Sequence, residues 1–320
     1  MRRRSVLAAT AALVACPAIA QPAFPNRAVR LVVPFAPAGI ADILGRQIAE
    51  PLAALWGQPV VVENKAGASG HIGAMEVARS TPDGHVLMVG TIGIHAAHAS
   101  YRKLAYQPAE DLRPVTILAE AANVVVVPAS SPYRTFAELL ADARANPGRL
   151  SYGSAGPGSS IHMVTALFEL MSGVRLTHVP YKGSGPALVD LISGQIQLMF
   201  ENIGSGMPHI RSGKLRALAV TGAQRETTLP DLPTVAEAGV SGYAATSWWT
   251  VAAPRATPAP VVERIQQDLK RVLAAPALQG KFDAQGVRPV INTPAEAAAF
   301  FASETVKWNR VIEAARLQLD

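Results

Sequence analysis

Short apolar segments alternate with amphipathic segments along most of this chain, and this alternation restricts its fold more than any other feature. The apolar segments have the length and the branched residues of buried β-strands, whereas the others carry apolar residues at helical spacing. The segments that fit a strand are residues 29–33, 60–63, 86–89, 115–118, 124–127, 150–152, 177–179, 197–200, 215–220 and 247–252. Those that fit a helix are residues 42–56, 71–80, 135–145, 159–172, 185–193, 261–275 and 294–317. This order predicts an α/β protein with mainly parallel sheets that are covered by helices on both faces.

The chain of 320 residues is long enough for two domains, and no low-complexity linker divides it. We predict discontinuous domains, in which the chain leaves the first domain near Asn123 and returns near Ala245. Domain 1 then comprises residues 21–123 and 246–320, and domain 2 comprises residues 124–245. Ligands of open α/β sheets bind beyond the carboxyl ends of the strands, so the small and polar loops there are the candidate binding sites.

The first 20 residues have the pattern of an export signal rather than of a folded domain. Three arginines at positions 2–4 form a basic region, residues 6–14 form a short apolar region, and residues 18–20 (Ala-Ile-Ala) fit a cleavage site before Gln21. We therefore predict a signal peptide over residues 1–20 and a periplasmic mature protein. The pattern is compatible with the general and with the twin-arginine export route.

Cleavage at this site changes both the cysteine content and the charge of the chain. Cys16 is the only cysteine, so a mature chain has no disulfide, no thiolate metal site and no cysteine nucleophile. The alternative is a lipid anchor at Cys16, since residues 13–16 resemble a lipoprotein box, but Pro17 argues against it. Removal of three arginines lowers the net charge from +6 to about +3. With no dense basic run, the chain does not fit a nucleic-acid-binding protein.

The motifs of common enzyme and metal chemistry are absent from the sequence. It has no G-x-G-x-x-G after a strand, no P-loop and no G-x-S-x-G nucleophile elbow. His95 and His98 have no acidic partner nearby, so we interpret them as loop or surface histidines and predict neither a metal site nor a cofactor. His162 fits a structural hydrogen bond or a ligand contact. No pair of carboxylates and no Ser/His/Asp set is legible at fixed spacing, so the sequence favours a non-enzyme and leaves open a catalytic triad that is assembled only in space.

The stretch LVVPFAPAGIAD, residues 31–42, joins a buried strand to a helix through a tight turn. Such a turn directs free backbone N–H groups, and the positive end of the helix dipole, at whatever lies above it. We therefore predict that Phe35, Ala38, Gly39 and Asp42 contact an anionic ligand. The alternative is an ordinary strand–helix turn in which Asp42 only caps the helix.

A second turn of this kind has the sequence GSAGPGSS, residues 153–160, and precedes another predicted helix. It supplies backbone N–H groups and three hydroxyl groups, and we predict Ser154, Gly158, Ser159 and Ser160 as ligand contacts. The alternative is again a turn in which Ser159 only caps the helix. A carboxylate between the two helix N-termini would be held by neutral, fixed donors, with no buried ion pair to desolvate.

Three further residues at or near the ends of predicted strands are candidates for the same cleft. We predict that Thr91, Asn202 and Trp248 contact the ligand. Glu201 is disfavoured, because a carboxylate would repel an anion. Trp248 and Trp249 are consecutive in a predicted strand, so one ring points to each face, and core packing is the alternative for either.

Eight stretches distributed over nearly the whole mature chain have the order and spacing of one known family. They are PFAPAGIAD (34–42), GQPVVVENKAGASGHIGA (57–74), TPDGHVL (81–87), YQPAEDLRPVT (106–116), YGSAGPGSSIHM (152–163), VPYKGSGPALVDLISGQIQLMF (179–200), SGKLRALAVTG (212–222) and LPDLPTVAEAG (229–239). In these stretches the chain resembles the extracytoplasmic solute receptors of tripartite tricarboxylate transporters, or Bug proteins. The resemblance implies a periplasmic binding protein fold, with two α/β lobes joined by crossover strands around a ligand cleft. It also implies a small carboxylate ligand, held by residues 35–42 and 154–160 and partly through ordered water.

Two departures from the family's pattern concern the predicted site. The first turn of relatives usually reads Pro-Gly-Gly, whereas this chain has Ala38 before Gly39, which restricts the backbone and adds a methyl group. Relatives often have Asp-Asn where this chain has Glu201 and Asn202. Both departures bear on which carboxylate is bound, and the sequence leaves that open.

We therefore predict a periplasmic receptor that captures a small carboxylate between two lobes. The ligand classes are di- and tricarboxylates, aromatic acids and amino acids, and the receptor, a monomer, delivers its ligand to the membrane subunits of a tripartite tricarboxylate-type transporter. Two alternatives remain, an exported α/β hydrolase that acts through a loop serine, and a sensor that reports its ligand to a signalling pathway.

Overall fold

The computed structural model of the protein describes residues 24–101 and 103–317. The predicted signal peptide, its cleavage site and Cys16 lie outside these residues. Over the described ranges, no helix combines the length and the apolar character that a membrane span requires.

Strands and helices alternate over most of the described chain. In chain order the strands are β1 (Val29–Val33), β2 (Val60–Asn64), β3 (Val86–Thr91), β4 (Leu112–Pro128), β5 (Ser151–Ser154), β6 (Thr177–Pro180), β7 (Met199–Asn202), β8 (Leu215–Val220), β9 (Thr246–Pro254) and β10 (Arg288–Pro289). The helices are α1 (Ile40–Trp56), α2 (His71–Ala78), α3 (Ile92–His95), α4 (Pro108–Asp111), α5 (Phe136–Ala145), α6 (Ser160–Ser172), α7 (Ser184–Ile192), α8 (Ile203–Arg211), α9 (Ala259–Leu273), α10 (Pro276–Ala284) and α11 (Pro294–Ala314).

The strands form two lobes that share the long strand β4. In lobe 1 the strand order is β2-β1-β3-β9-β4-β10, and in lobe 2 β4 pairs with β7 and β8, while β5 pairs with β6. β1 is parallel to β2 and β3, and β5 is parallel to β6, but each pair that includes β4 or β9 is antiparallel. The predicted two-lobe α/β class is confirmed. Parallel pairing is less frequent than predicted, because the crossover strands β4 and β9 run against their neighbours.

The crossover strands change partners at one point. β4 is 17 residues long. Its residue Ala122 pairs with Thr246 of β9, and the next residue, Asn123, pairs with Asn202 of β7. One continuous strand therefore takes part in both lobes. The domain limits that we predict near this point stay a prediction.

Asn123 stabilises the point at which β4 changes partners, through hydrogen bonds to three neighbouring segments. It is fully buried, and its backbone N–H donates to Thr221 Oγ1 at 2.7 Å. Its side chain donates to the carbonyl of Phe200 and accepts from Ser247 Oγ, each at 2.8 Å. Every polar group that this residue brings into the interior thus has a partner, as buried polar groups require.

The C-terminal helix α11 packs against both lobes. It begins at a capping box, in which Thr293 Oγ1 accepts from the Glu296 N–H and the Glu296 carboxylate accepts from the Thr293 N–H. One oxygen of Glu304 accepts from the indole N–H groups of Trp308 and of Trp248 on β9, both at 2.8 Å. Both indoles are almost fully buried, so this carboxylate fixes α11 to a crossover strand.

Candidate functional site

The N-terminal ends of four helices, α1, α6, α7 and α8, meet at one cavity between the lobes. The cavity is partly open to solvent, and together with the open space at its mouth it measures about 340 Å³. Its wall consists of Phe35, Gly39, Ile40, Ala41, Thr91, Ala155, Ser159, Ser160, Ile161, Ser184, Asn202 and Trp249. Over the described ranges, no ionisable side chain belongs to this wall.

The first helix presents bare backbone donors to the cavity. Gly39 is the N-cap of α1 and provides no side-chain cap. The N–H groups of Ile40 and Ala41 have no acceptor among the described residues, and both residues are in the wall. These groups and the helix dipole favour an anion at this position.

Ala38 and Asp42, which we predict as ligand contacts, lie outside the wall. Ala38 is exposed, with a left-handed φ of 69°, and its N–H donates to Asp42 Oδ2 at 3.1 Å. Asp42 Oδ1 also accepts from Arg46 and Asn64, each at 3.0 Å. Burial opposes ionisation of Asp42, but these hydrogen bonds outweigh it and lower the pKa of the carboxyl. The Asp42 carboxylate therefore stabilises the turn through these hydrogen bonds and does not border the cavity.

The second helix, α6, presents donors in the same way. Ser159 is its N-cap, and Ser159 Oγ accepts from the His162 N–H at 3.4 Å. The N–H groups of Ser160 and Ile161 have no acceptor within the described chain. The hydroxyl of Ser160 has no internal partner there either, so it is available to a ligand.

Two stacked histidines hold the loop that precedes α6. His162 Nδ1 accepts from the Gly158 N–H at 2.8 Å, and His178 Nε2 is 2.6 Å from Ser154 Oγ. The imidazole rings stack at 4.1 Å. Burial lowers the pKa of His162 to about 3 and that of His178 to about 4, so both are neutral. Ser154 and Gly158, predicted as ligand contacts, belong to this support of the loop and not to the wall.

Thr91, Asn202 and Ser184 complete the polar part of the wall. Thr91 is the N-cap of α3, and its buried Oγ1 has no hydrogen-bond partner among the described residues. Asn202 is the N-cap of α8. Ser184 is the first residue of α7, and we did not predict it. Its sequence signal is the stretch YKGSG, a glycine-rich turn between a strand and a helix.

Trp249, and not Trp248, borders the cavity. Trp249 pairs with Thr91 across β9 and β3, which brings its ring to the same wall. Trp248 points to the opposite face of the strand, into the core beside Glu304. Trp248, which we predict as a ligand contact, therefore lies outside the wall, because successive side chains of a strand alternate between faces.

His95 is buried, although we predicted a loop or surface position. It lies in α3 and stacks on Phe301 with ring centroids 4.5 Å apart, while His98 is half-buried. Burial lowers the pKa of His95 to about 3. Over the described ranges, no group of three potential ligands could hold a metal ion.

The two lobes are closed over the cavity. The Ala36 N–H of lobe 1 donates to the Lys182 carbonyl of lobe 2 at 3.0 Å. Tyr101 Oη of lobe 1 donates to the Pro157 carbonyl of lobe 2 at 2.7 Å. These bonds use groups near the turns that precede α1 and α6, so closure of the lobes and the shape of the cavity depend on each other.

Two α/β lobes that are joined by crossover strands and closed over such a cavity define a solute-binding protein. The chain belongs to the tripartite tricarboxylate transporter family receptors, whose family model matches residues 44–317. It is thus a Bug-type periplasmic solute-binding protein, and this family consists of receptors rather than enzymes.

Three relatives illustrate the similarity. Protein BugT of Bordetella pertussis is 35% identical over 98% of this chain and 98% of its own length. The solved structure of R. palustris Rpa4515 with adipate is 40% identical, has a TM-score of 0.88 and aligns over 91% of this chain and 98% of its own. MatC from Rhodopseudomonas palustris with bound malate is 33% identical, has a TM-score of 0.85 and aligns over 90% of this chain and all of its own.

Proposed function

We propose that the protein captures a small carboxylate in this cavity and delivers it to the membrane subunits of a tripartite tricarboxylate-type transporter. It does so in the periplasm, as a monomer, after removal of residues 1–20. The observation that carries the proposal is the convergence of four helix N-termini on a wall without an ionisable side chain.

The charge pattern favours an anion as the ligand. Each helix N-terminus stabilises a negative charge by roughly 0.3–1 kcal/mol, and by more where the site is partly buried. Neutral donors also spare the desolvation of a buried cation, which an Arg or Lys site would require. The N–H groups of Ile40, Ala41, Ser160 and Ile161 belong to the first turns of α1 and α6, so helix geometry fixes their direction.

The apolar part of the wall favours a ligand with a short hydrocarbon body. Phe35, Ile40, Ile161 and Trp249 provide it. Because two relatives hold adipate and malate, short dicarboxylates are the first class to test, before tricarboxylates, aromatic acids and amino acids.

We assign ligand contact to six of the residues that the sequence predicts and to two that it does not. They are Phe35, Gly39, Thr91, Ser159, Ser160 and Asn202, together with Ser184 and Trp249. The lobes that move toward each other are residues 21–123 with 246–320 and residues 124–245. Ligand stabilises the closed state by its differential affinity for it.

A titration of the refolded mature protein tests this function. After unfolding and refolding to remove carried-over ligand, thermal unfolding is measured with mono-, di- and tricarboxylates, aromatic acids and amino acids. One carboxylate class should raise the free energy of unfolding by about 2.7 kcal/mol at a hundred times its Kd. Absence of a shift with every carboxylate would refute the proposal.

The variant Ser160→Ala tests the site assignment. The Ser160 hydroxyl has no internal partner among the described residues, so its removal should leave the unliganded protein as stable as before. Loss of a hydrogen bond to a charged ligand should weaken affinity by about 1.5–3 kcal/mol. Ser172→Ala, at the other end of α6, is the matched control and should bind normally. Unchanged affinity in Ser160→Ala would remove Ser160 from the site.

A further inference from the structure

Glu201 is a buried carboxyl group behind the cavity wall, and it forms no ion pair within the part of the chain that the structure describes. It lies in β7 and is fully buried. Its Oε1 accepts from Ser205 Oγ at 2.5 Å, whereas its Oε2 has no hydrogen-bond partner among the described residues. A buried carboxylate with one uncompensated oxygen is costly, so the neutral acid is favoured at this position.

The elements that pack around Glu201 present hydroxyl and apolar groups to it. Ser184 faces it from α7, Ser205 from α8 and Val124 from β4. Burial raises the pKa of Glu201 to about 7, although the Ser205 hydrogen bond and the nearby Asn202 N–H and Ser184 hydroxyl, which favour the charged form, oppose the shift. The titratable groups of α7 and α8 are engaged or placed elsewhere: Asp190 of α7 accepts from Tyr181 Oη, and His209 and Arg211 lie in the last turn of α8. The other elements packed against β7 are α6 and β5. On α6, His162 accepts from the Gly158 N–H and Glu169 from the Leu176 N–H, and Tyr152 of β5 stacks on His178.

Ser184 connects Glu201 to the cavity. It is a wall residue, and it also faces the Glu201 carboxyl. A serine hydroxyl has one hydrogen to donate. An ionised Glu201 competes with a bound anion for that hydrogen, whereas a protonated Glu201 donates to Ser184 Oγ and leaves the Ser184 O–H for the anion. Repulsion between two neighbouring negative charges acts in the same direction.

We propose that Glu201 takes up one proton when the receptor closes over a carboxylate, and that as a neutral acid it orients Ser184 toward the bound anion. This inference rests on the proposed function, because it requires an anionic ligand. Binding that takes up a proton weakens as the pH rises through the range in which the unliganded Glu201 ionises. Affinity should therefore be level below about pH 6 and fall by up to tenfold per pH unit above about pH 7.

Isothermal titration calorimetry of the mature protein tests this, with adipate and malate as probes. At pH 8 the binding enthalpy is compared in HEPES and in Tris, whose different ionisation enthalpies reveal the number of protons taken up. The wild type should take up close to one proton per ligand. Glu201→Gln, which keeps the shape but cannot titrate, should take up none, and its affinity should be the same at pH 6.5 and pH 8.5.

The outcomes separate this inference from the proposed function. Binding of adipate or malate without proton uptake, or equal uptake by Glu201→Gln, would overturn the role of Glu201 and leave the receptor function intact. Absence of binding by the wild type at pH 6.5 to adipate, to malate and to every other carboxylate of the thermal-unfolding series would reject both. If Glu201→Gln does not fold, Ser205→Ala replaces it. Loss of the Ser205 hydrogen bond should move the onset of the affinity loss to higher pH, and an unmoved onset would overturn the proposal.

Discussion

The substitution Gly93→Ala would place a methyl group between the two lobes. Gly93 lies in α3, and a β carbon at this residue would be 2.7 Å from the carbonyl oxygen of Gly158 and 3.6 Å from the Cα of Ser159. Both partners belong to the opposite lobe, in the loop that leads into α6. Since the Gly93 backbone is helical, alanine fits the local conformation, and the clash exists only when the lobes are closed.

The size of the effect follows from that distance. Contacts of a β carbon below 3.0 Å are essentially never observed, so the Gly158 backbone must move away. Such overpacking costs typically 1–3 kcal/mol. Because this cost falls on the closed state alone, it appears as a loss of ligand affinity of roughly 5- to 150-fold. In the open form that the proposed function requires, the unliganded protein should keep its stability or gain slightly, since alanine is the better helix former.

Calorimetric titration with the tightest-binding carboxylate and urea unfolding without ligand measure the two quantities. Gly280→Ala is the matched control, because Gly280 lies within α10 and a β carbon there meets no atom within 4 Å. It should gain up to about 1 kcal/mol in stability and bind as the wild type does. If Gly93→Ala also binds as the wild type does, closure does not bring Gly93 and Gly158 together and the reasoning is refuted.

Two further predictions concern buried carboxyl groups, and urea unfolding tests both. Glu304→Leu leaves the indole N–H groups of Trp248 and Trp308 without an acceptor and should lower the free energy of unfolding by about 2–6 kcal/mol. Glu304→Gln retains an oxygen that can accept from them and should lower it by less. Equal losses in the two variants would contradict the shared hydrogen bonds. The pKa of Glu201 is raised to about 7, so the stability that its neutral form contributes is complete below about pH 4.5 and is lost as the pH rises toward 7. Without ligand, the wild type should therefore lose about 3 kcal/mol more between pH 4.5 and pH 8 than Glu201→Gln, and parallel losses would contradict the raised pKa.

The sequence predicts the lobes better than the strand pairing. Alternating strands and helices suffice for the α/β class, but residues 115–118 and 124–127, read as two strands, are parts of β4. The small and polar residues between them interrupt the apolar pattern because they lie at the crossover, where β4 changes partners. The sequence pattern does not predict helix α8, because this helix contains two glycines and Pro208, all of which have low helix propensity.

Sequence reasoning finds the turns of the candidate site more readily than the direction of each side chain. Gly39, Ser159 and Asn202 occupy the wall because they begin helices, and a helix start is legible as a local pattern. The choice between Trp248 and Trp249 depends on which face of β9 is buried in which lobe. That is a property of the assembled sheet, and no local pattern carries it.

The positions of the four tryptophans also allow ligand binding to be followed by intrinsic fluorescence. The indole N–H groups of Trp56, Trp248 and Trp308 are all bound to buried carboxylates, Asp268 and Glu304, in the interior. Trp249 alone among the four borders the cavity, where the carboxylate of the proposed function would lie beside its ring. We therefore expect ligand binding to change the intrinsic fluorescence of the unmodified chain mainly through Trp249, so that arrival and release can be timed in a stopped-flow instrument without a dye.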